Sequence, residues 1–224
     1  MRRLWQRTSE RRRVARFTKA LRHLHGPKTP EIATDEVLAI VLVRNGSYYM
    51  DAFFDYYRGL GIRHFAFIDN GSTDDTIARL RAEPGVILDQ CALPLAEYED
   101  LIRAYPAQTY GQNRWCLYID MDEIFDFEGR ERVGLAGLVS YLEGQDATAM
   151  VSQMLEMFPK APLSAAADFS YASALDEFSY FDISHLNRFD YHSAEIPFAA
   201  LLADNEIPDR ALQFMFGGVR GKVF

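Results

Sequence analysis

A chain of 224 residues, 49% hydrophobic and 25% charged, has the size and composition of one soluble globular domain, or of one domain with an appendage. Its two cysteines, Cys91 and Cys116, stand in unrelated contexts, which excludes a disulfide framework and a zinc-ligand pattern and points to a reducing compartment. No apolar run approaches the ~20 residues that cross a bilayer, and no apolar stretch follows the basic N-terminus as a signal peptide requires, so the expected location is cytoplasmic.

The net charge of −8 is unevenly spread. Residues 1–28 carry ten Lys and Arg against one acid, Glu10, while the remainder carries 14 against 31. In the basic segment Val14, Phe17, Leu21 and Leu24 follow helical spacing, which draws one apolar stripe between arginines. Three readings follow: a helix lying peripherally on the anionic inner face of a membrane, a helix docked on the acidic body of its own domain, or a frayed terminus. Nothing outside the segment continues a basic surface, so nucleic acid is not an expected partner. Gly26-Pro27-Lys28-Thr29-Pro30 ends the helix and serves as a linker, which sets the expected units at 1–30 and 31–224.

Alternation begins there. Val37–Val43 is continuously apolar, as a strand buried on both faces of a parallel sheet must be. A helix follows, with Ser47 as its cap, an apolar face of Met50, Phe53, Phe54, Tyr57 and Leu60, and Gly61 at its end. His64–Ile68 is a second strand. Ser72 and Asp75 have capping-box spacing for a helix over 73–83, and Pro84-Gly85 stops it. Val86–Leu88 is a third strand. Residues 97–111 are helical in pattern, with Pro106 predicting a kink or two pieces. Trp115–Ile119 is a fourth strand, Leu135, Leu138, Val139 and Leu142 mark a helix closed by Gly144, and Ala147–Leu155 reads as a further strand. The fold class is α/β, a mostly parallel central sheet flanked by helices.

Ligands of open α/β sheets bind beyond the carboxyl ends of the strands, and three polar clusters fall there: Arg44-Asn45-Gly46, Asp69-Asn70-Gly71-Ser72 and Asp120-Met121-Asp122-Glu123. Carboxylates two residues apart in extended chain point to one side, so Asp120 and Asp122 can share a hard divalent cation. With 18 Asp in the chain, roughly one Asp-x-Asp arises by chance, and the apolar strand just before this one gives it weight. The alternative is a solvated acidic turn. Asp69 can accept hydrogen bonds from a base or ribose, or can serve only to satisfy backbone N–H groups.

The run Val43-Arg44-Asn45, then Phe54-x-x-Tyr57-Arg58-x-Leu60-Gly61 and Phe65-x-x-Ile68-Asp69-Asn70-Gly71-Ser72-Thr73-Asp74-x-Thr76, resembles the opening of family 2-like glycosyltransferases. Trp115–Glu123 resembles the Asp-x-Asp segment of the same family, 51 residues further on when counted from Asp69 to Asp120. The likeness spans about residues 37–127. It implies a GT-A (Rossmann-like) fold and transfer of a sugar from a nucleotide-diphosphate donor to a glycan or lipid-linked acceptor. Under it Arg44, Asn45, Asp69, Asn70 and Asp120 would line the nucleotide pocket, and Asp120 and Asp122 would hold Mn²⁺ or Mg²⁺. Gly46 departs from it, standing where such sequences often carry an acid. Residues 216–224 correspond to a stretch that continues in similar proteins, so the resemblance leads us to expect a domain shortened at its C-terminus.

An inverting transferase also needs a carboxylate base, and Asp176 and Glu177, in an aromatic-rich stretch, are the candidates. As surface acids they would have no such role. His185 and His192 are candidate late metal ligands on the same terms. A phosphatase of the haloacid dehalogenase type also places Asp-x-Asp after an apolar strand, with Asp120 as nucleophile, but that class opens its domain with the motif. A third reading is a catalytically inactive glycosyltransferase-like binding module.

Overall fold

The computed structural model describes residues 2–150, 152, 154–160, 162, 164 and 169–182. They fall in two compact units, Met1–Ala147 and Thr148–Phe224. The basic segment lies in the same compact unit as the sheet.

In the first unit the elements run α1 (Arg2–Ala20), β1 (Arg22–His25), β2 (Leu38–Val43), α2 (Met50–Gly59), β3 (His64–Asp69), α3 (Thr76–Ala82), β4 (Val86–Gln90), α4 (Leu95–Tyr110), β5 (Cys116–Asp120) and α5 (Arg130–Gly144). The five strands lie in the order β1-β4-β3-β2-β5. All neighbours are parallel except β1, which runs antiparallel to β4. The α/β expectation is met, as a mixed sheet flanked by helices.

Side-chain alternation divides the core into two layers. Phe65 and Phe67 of β3 meet Phe53 and Phe54 of α2, with ring centroids 5.1–6.2 Å apart. On the other face Leu38, Ile40, Ala66 and Ile87 pack with Tyr110 of α4, while Ile68 packs with Tyr98 and Ile102. Helices on both faces leave almost no water on the central strands, which is why β2, β3 and β4 have no polar alternation.

Several elements differ from expectation. The segment 147–155 forms no strand among its described residues, so β5 remains at the sheet edge. That stretch crosses the boundary between the two units. Helix α4 runs as one element through buried Pro106. Helix α5 begins at Arg130 and is interrupted at Gly134 (φ 64°, ψ 176°), a conformation that suits glycine. Ser47 does not cap α2, whose N-cap is Tyr49, and the Ser72/Asp75 capping box does not form.

The N-terminal helix stops at Ala20, so Leu21 and Leu24 lie beyond it, Leu24 in β1. Phe17 is buried in the cluster with Ile68, Tyr98 and Ile102, and its ring stands edge-on to Tyr105 at 6.0 Å. Arg13 donates to the Asp100 carboxylate (2.7 Å) and to the Glu97 carbonyl (2.8 Å). These are the contacts of a helix docked on its own body. A phenyl ring lost from such a seat costs about 3 kcal/mol, whereas an exposed ion pair is worth under about 1 kcal/mol. Phe17→Ala is therefore expected to lower the melting temperature by several degrees and Asp100→Asn to leave it nearly unchanged, as thermal unfolding will show. Equal effects would assign the docking to charge.

Candidate functional site

The parallel register levels the strand ends. Val43 pairs with Asp69, and Leu42 with Asp120, so the loops after β2, β3 and β5 leave the sheet at one edge. The chain goes from β2 to β3 on one side and returns from β4 to β5 on the other, which makes the β2/β5 boundary the switch point of the sheet. A cleft of ≈ 700 Å³ opens there, lined by Arg44, Tyr49, Asn70, Arg103, Asp120 and Asp122 among others. That volume lies within the range of small-molecule sites.

The structure separates the expected site residues into those on the cleft and those behind its wall. Arg44, Asn70, Asp120 and Asp122 line it. Asp69 does not. It is wholly buried, and its carboxylate accepts from Gly71 N (2.9 Å), Ser72 N (3.1 Å) and Gln90 Nε2 (2.9 Å). This is the backbone-satisfying role, and it holds the loop after β3 in place.

Asn45 is also a loop fastener. It sits at φ 55°, its side-chain oxygen accepts from Thr73 N (2.8 Å), and its N–H donates to Ser72 Oγ (2.8 Å). Asn70 works on both sides, since its Nδ2 donates to the Cys91 and Leu93 carbonyls (2.7 and 2.8 Å) while the residue remains on the cleft wall. Gly46 has a steric reason: a Cβ there would come within 2.6 Å of Val43 Cγ2 and would also collide with the Met121 sulfur.

The acidic motif is clamped from two directions. Glu123 Oε2 accepts from Asp120 N (3.1 Å), and Glu123 N donates to the Asp120 carbonyl (3.1 Å), closing a turn under the motif. Tyr57 of α2 donates to the Glu123 carbonyl (2.9 Å) and accepts from Phe125 N (3.0 Å). Across the cleft Arg103 of α4 grips Asp120 with both terminal nitrogens, Nη1–Oδ1 at 2.9 Å and Nη2–Oδ2 at 3.2 Å. The Arg103 Nε donates to Glu99 (2.9 Å). Burial, with the Asp122 charge in addition, pushes the Tyr49 hydroxyl above its usual range, so it stays a donor at neutral pH.

Among the described residues no three His, Cys, Asp or Glu side chains gather as a metal site. A cation here would rest on Asp120 and Asp122, with water and ligand oxygens filling the octahedron, an arrangement that Mg²⁺ commonly adopts. The donor set fits a hard cation. Thiol chemistry is disfavoured, since burial raises both cysteines, Cys116 to about 11.

Asp176 and Glu177 lie exposed on α6 (Tyr171–Glu177), a seven-residue helix of the second unit. They have the surroundings of surface acids. His185 and His192 lie outside the described residues. Sequence reading missed Arg103 and Tyr57 as parts of the site, because their roles arise from packing between distant segments.

If Asp69 is scaffold, removing it strands three part-buried donors, at about 3 kcal/mol in total. Asp69→Ala is expected to lower stability by that amount, read by denaturant unfolding. Any binding that survives should fall equally for a nucleoside diphosphate and for free pyrophosphate, and a loss confined to the nucleoside would return Asp69 to the ligand. Comparison of the chain with protein-family models, with curated proteins and with solved structures gives no match.

Proposed function

We propose that the chain is a GT-A-type glycosyltransferase that moves a sugar from a nucleotide-diphosphate donor to a glycan or lipid-linked acceptor, assisted by Mn²⁺ or Mg²⁺. The observation that carries this reading is the meeting of Asp120, Asp122, Arg44 and Asn70 on one cleft at the switch point of the sheet. A bound divalent cation supplies charge neutralisation for a departing diphosphate. Asp120 and Asp122 would hold it, Arg44 would draw the phosphates by charge, and Tyr49 would offer a hydroxyl donor.

The phosphatase class opens its domain with the motif strand, whereas here β2, β3 and β4 precede β5. An inactive binding module would share the cleft and differ only in turnover. A panel of nucleotide-sugars screened by thermal shift with Mn²⁺, followed by an assay of nucleoside-diphosphate release, separates the two.

Asp122 is exposed, so its loss should spare the fold. Asp122→Ala is expected to abolish Mn²⁺-dependent binding of a nucleoside diphosphate at an unchanged melting temperature, with calorimetry as the measurement. Unchanged affinity would remove the metal role.

A lipid-linked acceptor would bring the enzyme to the inner face of a membrane, where the exposed Arg11, Arg12 and Arg16 of α1 would meet anionic headgroups. With Phe17 seated in the body, such contact rests on charge, about 1 kcal/mol per basic residue. Co-sedimentation with anionic vesicles is expected at low salt and should vanish at high salt. Salt-independent binding would point to apolar insertion.

A further inference from the structure

The pairing of Arg103 with Asp120 brings a cation and a candidate cation ligand together on the cleft wall. Their side chains are each about one-fifth exposed (21%), so both face the opening while remaining largely out of water. The guanidinium meets the carboxylate fork to fork, and the same planar fork matches two phosphate oxygens equally well. Its Nε is tethered separately to Glu99, one turn earlier on α4. Letting go of Asp120 would thus leave the two Nη groups still aimed at the cleft.

We propose that Arg103 is the diphosphate-binding residue of this cleft, exchanging Asp120 for ligand phosphate oxygens as the carboxylate turns to a divalent cation. This rests on the reading of the cleft as a nucleotide-diphosphate site. The electrostatic argument is one of competition. A carboxylate with both oxygens accepting from a guanidinium cannot serve a hard cation at full strength, and two cations crowded on one carboxylate repel each other unless an anion lies between them. A diphosphate is that anion. Arg103 and Asp120 balance each other on the cleft wall, so neither largely buried charge is left alone.

The probes are inorganic pyrophosphate and Mn²⁺, each titrated alone and together into the full chain by calorimetry, with circular dichroism and thermal melts recorded for every variant. Arg103→Gln should weaken Mn²⁺-dependent pyrophosphate binding about 10- to 100-fold, the scale of lost charged hydrogen bonds. Binding of Mn²⁺ alone should be as tight as in the wild type or tighter, because Asp120 has lost its competitor. Arg103→Lys keeps the charge without the fork and should fall between. Asp120→Asn should move the opposite way, binding pyrophosphate without metal better than the wild type does, because Arg103 is released. Should Arg103→Gln misfold, the sign of the Asp120→Asn change still decides.

Wild-type pyrophosphate affinity in Arg103→Gln overturns the assignment, as does an equal loss of Mn²⁺ and pyrophosphate, which marks a merely structural pair. A wild-type chain that does not bind pyrophosphate with Mn²⁺ overturns it as well. Tight, Arg103-dependent pyrophosphate binding without cleavage of any nucleotide-sugar supports the assignment and removes the transferase reading instead.

Discussion

Strand β2 has both its neighbours parallel and almost no water on either face, so its peptide groups must find partners within the sheet. That obligation governs the molecule. It locks β3 and β5 to β2 without a register shift, brings their carboxyl ends level, and commits helices to both faces. Chain direction does the rest, since loops that depart to opposite sides of the sheet at the β2/β5 boundary cannot fill the space between them. The cleft is a by-product of hydrogen-bond bookkeeping in the core.

The polar residues at these strand ends divide their labour. A loop has no ladder of its own, so side chains must satisfy its backbone, and Asp69 and Asn45 are consumed in doing so. Their neighbours are thereby held still enough to form a wall. Tyr57 performs the matching service for the acidic turn, reaching from α2 to the backbone at 123 and 125. A site built on rigid strand ends and fastened by one buried carboxylate and one amide needs little induced rearrangement of its backbone, and the adjustable part is confined to side chains such as Arg103.

The sheet was largely legible because β2, β3 and β4 are apolar runs with turn residues at their ends, and burial on both faces leaves a signature in composition. Strand β1 left none. Its residues Arg22, His23, Leu24 and His25 have no alternation, and the strand exists because β4 offers an open edge and because His23 reaches Asp89 at 3.0 Å. The apolar stripe of the basic segment was read as continuing past Ala20, because spacing alone cannot tell a helical residue from a strand residue of similar polarity. For the site, the positions of Arg44, Asn70, Asp120 and Asp122 followed from their places at strand ends. Arg103 did not, because nothing near it in the chain distinguishes it from any other helical arginine. Only the return of α4 across the sheet delivers it to β5.

Gly46 and Met121 share one volume. The side chain that the glycine lacks is replaced by the thioether of the residue between the two motif carboxylates, which packs beside Val43. The identity of the middle residue in Asp-x-Asp is therefore not free, although it carries no charge. Positions 46 and 121 are coupled, with Val43 as a third party: a side chain at 46 must displace both the Met121 thioether and the Val43 methyl group. Correlated substitution at these two sites, 75 residues apart in the chain, would record a steric exchange beneath the carboxylates, and grafting either residue alone between such chains would displace the acids it leaves chemically untouched.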